Sequence, residues 1–88
     1  MIIEFDPAKA ENNWKRHGIL FTEAATVLDD PLSVTIEEDS VDEERSVNIG
    51  MDLYGRILVV VYTYRGEDNV RIISARRATQ NECKQYGG

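Results

Sequence analysis

Ile57-Leu58-Val59-Val60-Val61-Tyr62 leaves this chain the fewest choices. Six apolar residues follow one another without alternation, and five of them are β-branched or aromatic. A strand built from them tolerates water on neither face, so it belongs at the centre of a sheet covered on both sides. The chain enters the run from Asp52-Leu53-Tyr54-Gly55, a turn with glycine where positive φ is cheap. It leaves through the hairpin turn Arg65-Gly66-Glu67-Asp68. The hairpin hands the chain to an antiparallel neighbour over residues 70–78. There apolar Val70, Ile72, Ile73 and Ala75 sit beside Arg71, Arg76 and Arg77, a buried strand running into a basic exit.

The other elements fall around this pair. Residues 2–5 are a short apolar run and predict a strand. Asp6-Pro7 predicts a helix start, with Asp6 as N-cap and Pro7 where its missing N–H costs nothing. That helix runs to about residue 17 and is closed by Gly18, with Lys15 and Arg16 in its last turn, where the macrodipole favours cations. Ala10, Trp14 and His17 share one of its faces, with Trp14 expected in the core. Phe21-Thr22-Glu23-Ala24-Ala25 opens a second, short helix with Thr22 as N-cap, Ala24, Val27 and Leu28 inward, and Pro31 as its stop. Asp29-Asp30 lies at its unfavourable end, where it must cap something or be solvated.

Residues 32–36 alternate as a half-buried strand, and residues 37–44 form a hydrophilic loop. Residues 46–51 alternate again, with Val47, Ile49 and Met51 inward. Thr79-Gln80-Asn81-Glu82 is a capping box that opens a short tail helix, which is expected to fray or to dock on a partner. Helices gathered before a meander of strands predict one α+β domain over residues 1–88. Both helices are expected on one face of a twisted antiparallel sheet.

At 88 residues the chain supports one small core. It is 42% hydrophobic and 30% charged, too apolar for a disordered chain. The net charge of −6 conceals a division: residues 29–44 carry eight acids and no base, whereas residues 45–80 carry six arginines against three acids. Local fields, rather than the net figure, steer ligands within about 8 Å at physiological salt. No apolar run reaches the roughly 20 residues that span a bilayer, and the start lacks the pattern of a signal peptide. A single cysteine, Cys83, forms no intrachain disulfide, so a cytoplasmic location is expected. Neither a metal-ligand spacing nor a glycine-rich phosphate loop is present, so no metal or cofactor is expected.

The chemistry-bearing candidates are few. Strict alternation puts Arg71, Ile73 and Ala75 on one face and Ile72, Ser74 and Arg76 on the other, so Arg71 and Arg76 share a site only if a bulge intervenes. Guanidinium forks suit phosphate. They equally suit ion pairs with the acidic 37–44 segment. His17, the one histidine, is either a general acid or base or a helix cap. Tyr62 and Tyr64 share a face and either pack, stack on a base or donate a hydroxyl. Glu37, Glu38 and Asp39 have a generic spacing that supports no metal site.

Several segments in order resemble the BrnT family, the toxin half of a bacterial type II toxin–antitoxin pair. They are Phe5-Asp6-Pro7-Ala8-Lys9-Ala10, Asn13-Trp14-Lys15-Arg16-His17-Gly18, Phe21-Thr22-Glu23-Ala24-Ala25, Asp29-Asp30-Pro31, Glu44-Arg45, Leu58-Val59-Val60-Val61-Tyr62-Thr63 and Arg71-Ile72-Ile73-Ser74-Ala75-Arg76-Arg77-Ala78-Thr79. The resemblance implies a compact RelE-like fold and a metal-independent ribonuclease that inhibits translation as part of a bacterial stress response. It implies neutralisation by a BrnA-like antitoxin with a ribbon–helix–helix region. That complex would touch DNA only through the antitoxin and would repress its own operon; a toxin homodimer within it is possible.

For a cleavage in which the RNA 2′-OH attacks the adjacent phosphate, the resemblance nominates Arg65, Arg76, Tyr62 and His17 as catalytic. It nominates Arg71, Arg77 and Lys15 as RNA-binding. Tyr62 stands where the family pattern often has histidine, and a tyrosine with a pKa near 10 is a poor base at neutral pH. The competing reading is a non-catalytic interaction module. Direct sequence-specific DNA binding is the weakest, because no helix carries the residues of a recognition helix.

Overall fold

The computed structural model describes residues 1–37 and 45–86. Along the chain run β1 (Ile2–Glu4), α1 (Pro7–His17), α2 (Phe21–Ala25), a 3₁₀ turn (Thr26–Asp29), β2 (Val34–Glu37), β3 (Arg45–Met51), β4 (Ile57–Tyr64), β5 (Asn69–Arg77) and α3 (Gln80–Cys83). The strands form one sheet in the order β1-β5-β4-β3-β2. The apolar run is β4, at its centre as its composition requires. The sheet is mixed rather than antiparallel throughout: β1 lies parallel to β5, pairing Ile2, Ile3 and Glu4 with Asn69, Val70 and Arg71. Most of the acidic 37–44 segment lies outside the described residues, and with it its expected pairing with the arginines.

The main core lies between the helices and one face of the sheet. Ile19, Phe21, Ala24 and Val27 meet Leu58, Val60, Tyr62, Val70, Ile72 and Ala75 there. The close approach at β3 needs Gly50, because a Cβ there would lie 2.9 Å from both Ser33 Cβ and Val27 Cγ1. The N-cap of α2 is Leu20 rather than Thr22: Glu23 folds back so that its carboxylate accepts from the Leu20 N–H at 2.9 Å. Arg56 then joins Glu23, at 3.2 Å, to Asp52 in the β3–β4 turn, at 2.6 Å.

Helix α1 has the expected caps. Asp6 Oδ1 accepts from the Ala8 N–H at 2.9 Å, and Gly18, at φ 68°, donates its N–H to the Trp14 carbonyl at 2.8 Å. Its inward face differs from expectation. Trp14 is 50% exposed, while Asn13 is 5% exposed. The reason is the short β1, which leaves the outer edge of β5 uncovered after Arg71. Asn13 fills part of that gap: its Nδ2 donates to the Ala75 carbonyl at 2.9 Å and its Oδ1 accepts from the Ala75 N–H at 3.1 Å. A second Nδ2 hydrogen bond, 3.0 Å, reaches the Ile19 carbonyl. One amide side chain therefore continues the sheet edge and turns the helix so that its neighbour Trp14 faces outward.

The other face of the sheet carries a smaller cluster, Val47, Ile49 and Val59, and Tyr86 of the tail packs over it. The tail neither frays nor waits for a partner as far as Tyr86: it docks on its own domain. Tyr86 donates its hydroxyl to Asp30 Oδ2 at 2.6 Å, and the same oxygen accepts from the Met51 N–H. Asp30 Oδ1 caps the Leu32 N–H. The hydrogen bond from Tyr86, followed by that from Met51, holds the Asp30 carboxyl below the ordinary range.

Candidate functional site

Strand β5 shapes the site by breaking its own alternation. Val61 pairs with Ser74, but the next β4 residue, Tyr62, pairs with Ile72, so Ile73 is an extra residue in a β-bulge. Val70, Ile72 and Ala75 all face the main core as a result. Arg71, Ser74 and Arg76 are thereby sent to the opposite face. The bulge joins the two arginines that strict alternation separates.

A row of side chains crosses four strands on that face. The cross-strand partners are Arg45 with Thr63, Thr63 with Arg71, and Arg71 with Glu4. Glu4 Oε1 lies 3.4 Å from Arg71 Nε and 3.6 Å from Arg65 Nε. Neither is a close hydrogen bond, and Arg71 Nε is buried without a hydrogen-bond partner. Arg45, Arg65 and Arg71 line a polar cavity of about 370 Å³ together with Lys9, Thr63, Tyr64 and Ile73.

A second cleft of about 240 Å³ lies between α1 and the bulge. Its walls are Lys9, Asn12, Asn13, Arg16 and His17 from the helix and Ile73 and Ser74 from the strand. Lys9 and Ile73 belong to both cavities, which makes them neighbours along β5. The Asn13 clamp on Ala75 sets the distance between helix and strand. The first cavity gathers positive charge suited to phosphate oxygens. The second places an imidazole and two cations beside it.

The remaining candidates lie elsewhere. Arg76 shares the face of Arg71, but its guanidinium is committed: Nη1 and Nη2 donate to the two Glu82 carboxylate oxygens at 2.7 and 2.8 Å. Those hydrogen bonds hold the Glu82 carboxyl at about 2, from an ordinary 4.5. Glu82 also completes the tail's capping box with Thr79. Tyr62 is 5% exposed on the core side, and its hydroxyl donates to Asn48 Oδ1 at 3.0 Å. Burial first, and Tyr64 second, push its phenol up to about 12. The expected grouping of Tyr62 with Arg65 and Arg76 is therefore not assembled, because Tyr62 and Arg76 point to opposite faces. Arg77 is exposed at the end of β5, opposite Leu58. Lys15 pairs with Glu11 at 3.2 Å on the exposed side of α1.

Sequence reasoning missed Lys9, Arg16, Arg45 and Glu4. Lys9, Asn12, Asn13 and Arg16 do stand at helical spacing i, i+3, i+4 and i+7, a polar stripe that marks the cleft-facing side. Arg45 and Glu4 had no such signal, because each joins the site only through cross-strand register.

A family model described as ribonuclease toxin, BrnT, of type II toxin–antitoxin system matches residues 5–82. Among solved structures, the chain is similar to the Brucella abortus ribonuclease toxin BrnT, whose crystal structure was determined at 1.1 Å. The TM-score is 0.72 at 26% identity, covering 91% of this chain and 99% of that one. No curated protein matches the chain.

Proposed function

The chain belongs to the BrnT family of ribonuclease toxins of type II toxin–antitoxin systems, and on that premise we propose that it cuts RNA without a metal ion in the cleft between α1 and the β5 bulge. The observation that carries this reading is the bulge. It sets Arg71 and Ser74 on one face beside the helix edge that bears His17, Lys9 and Arg16.

RNA supplies its own nucleophile. The 2′-OH loses its proton as its oxygen bonds to the adjacent phosphorus, and the bond from phosphorus to the 5′-oxygen breaks. The departing oxygen takes up a proton, leaving a 2′,3′-cyclic phosphate and a 5′-hydroxyl end. His17 handles these protons. Lys9 and Arg16 stabilise the charge that builds on the phosphate, and Arg65 and Arg71 hold the strand. Tyr62 is a core residue in this scheme, and Arg76 pins the tail.

The fold is a RelE-like variant, and the toxin acts in the cytoplasm, where translation stops. A BrnA-like antitoxin with a ribbon–helix–helix region neutralises it and brings the complex to operator DNA, with a toxin pair in the assembly. The second reading, a binding module without activity, draws on one observation, the neutralisation of Arg76 by Glu82.

The test is cleavage of labelled RNA in EDTA by purified protein, with analysis of product ends. Wild type should give 2′,3′-cyclic phosphate ends, and His17→Asn should slow cleavage by about a hundredfold or more. Full-rate cleavage by folded His17→Asn would remove His17 from the mechanism. Intact RNA with folded wild type, together with tight antitoxin binding, would establish the binding module.

A further inference from the structure

We propose that the surface around the β3–β4 turn is where this chain docks a basic, amphipathic segment of its antitoxin. The identity of the partner rests on the toxin–antitoxin reading; the chemistry of the surface does not.

The first argument is apolar area held in place. Leu32, Met51, Leu53 and Tyr54 are 60%, 40%, 60% and 65% exposed. Hydrogen bonds from their backbone gather them. The Asp30 carboxylate accepts from the Leu32 N–H at 3.0 Å and from the Met51 N–H at 2.9 Å, so those two segments lie side by side. The Leu53 N–H donates to Thr26 Oγ1 at 3.0 Å, and Tyr54 follows in the same turn. A cavity of about 330 Å³ opens here, with Met51, Leu53 and Tyr86 in its walls. Large apolar side chains scattered singly are ordinary on a surface; gathered beside a hollow they mark an interface. The backbone that carries them is already fixed, so docking costs little further ordering.

The second argument is charge. Asp29, Asp30 and Asp52 line the cavity, and no cation does so among the described residues. Asp52 is answered by Arg56 at 2.6 Å. Asp30 meets only neutral donors, the Tyr86 hydroxyl and two backbone N–H groups. Asp29 is exposed and has no side-chain hydrogen bond or ion pair among the described residues. It also ends the 3₁₀ turn, at the carbonyl end that disfavours an anion. A lysine or arginine of the partner can lay its stem on Met51 and Leu53 and set its charge at Asp29 and Asp30. A second copy of this chain, meeting the surface about a two-fold axis, would set these aspartates against their own likes.

The third argument is position. Met51 pairs with Ile57 at the start of β4, whereas Arg65 follows Tyr64 at its end. The strand puts roughly 20 Å between this surface and the arginine cavity. Anchoring of the antitoxin and cleavage of RNA are therefore separable by mutation.

The experiment titrates the purified chain with the antitoxin protein encoded beside it, by calorimetry, with RNA cleavage read in parallel. Asp29→Lys should weaken binding about a hundredfold and Leu53→Ser about tenfold. Glu11→Lys, the same change of charge on exposed α1, should bind within about twofold of wild type. Both altered positions are exposed, and thermal melts check that each variant folds; Leu53→Ser carries the test if Asp29→Lys does not. Both variants should cleave RNA at the wild-type rate while escaping the antitoxin. Wild-type binding should weaken about tenfold or more from about 50 to about 500 mM salt. Wild-type affinity in both folded variants overturns the surface and leaves the antitoxin reading standing. Equal losses in Glu11→Lys and Asp29→Lys, or binding indifferent to salt, overturn the basic segment. A wild-type dimer that Leu53→Ser turns into a monomer makes the occupant a second copy and overturns the assignment. A wild-type chain that binds no antitoxin overturns the partner reading itself, and this proposal with it.

Discussion

Replacing Asn13 by alanine should be among the most damaging single changes to this domain, although it removes only an amide. Asn13 is 5% exposed and makes three hydrogen bonds, at 2.9, 3.0 and 3.1 Å, to backbone groups of Ile19 and Ala75. Each such bond contributes about 1 kcal/mol net, and the backbone groups it leaves behind stay buried without partners. The expected loss is about 3–4 kcal/mol, a large share of the 5–15 kcal/mol typical of a small domain. That corresponds to a fall in Tm of about 15–25 °C.

Urea unfolding followed by Trp14 fluorescence measures this directly, since Trp14 sits beside the clamp on α1. Asn12→Ala, one position away and exposed, is the control and should shift stability by less than about 0.5 kcal/mol. Asn13→Asp should be as harmful at neutral pH, because a carboxylate would face two carbonyl oxygens. Its new carboxyl would have a raised pKa, so stability should recover as pH falls. A loss below about 1 kcal/mol in Asn13→Ala would refute the idea that this amide holds helix and strand together.

Two further outcomes follow from charged and phenolic groups. The Glu82 carboxyl titrates at about 2 in the folded chain and near 4.5 when unfolded, so its pairing with Arg76 stabilises fully above pH 4.5 and is lost as pH falls toward 2. With Arg76 42% exposed, the effect is discounted to about 1–2 kcal/mol; Glu82→Gln should lose that at pH 7 but little at pH 2, in paired thermal melts. Tyr62→Phe should cost about 1 kcal/mol by leaving Asn48 without its phenol partner, yet keep RNA cleavage within a fewfold of wild type; a hundredfold loss in folded protein would make Tyr62 catalytic after all.

What could be read from the sequence was local. The caps of α1, the turn glycines and the unbroken apolar run of β4 each carry their instruction within a few residues. Three features needed the third dimension. A three-residue β1 has no pattern that names its partner or direction. Trp14 looked like core because it is large and apolar, but the exposed backbone of β5 took the neighbouring amide instead. The bulge carried no glycine to announce it. Its one trace is the doublet Ile72-Ile73: with Ile73 left out, Val70-Arg71-Ile72-Ser74-Ala75-Arg76 alternates without a fault. For the site, arginines were legible as phosphate-seeking, but which ones meet was decided by that single extra residue and by cross-strand register.

The extra residue also means that β5 holds one position in reserve. A deletion at Ile72, Ile73 or Ser74 can be absorbed by straightening the strand, with every later residue still opposite its present partner. A deletion in the middle of β4, which has no such slack, would invert everything beyond it. Length variation, usually confined to loops, is therefore open to this family member inside a strand of its site. The shape of the wall between the two cavities could change in a single step, by one codon, while the core behind it stayed as it is.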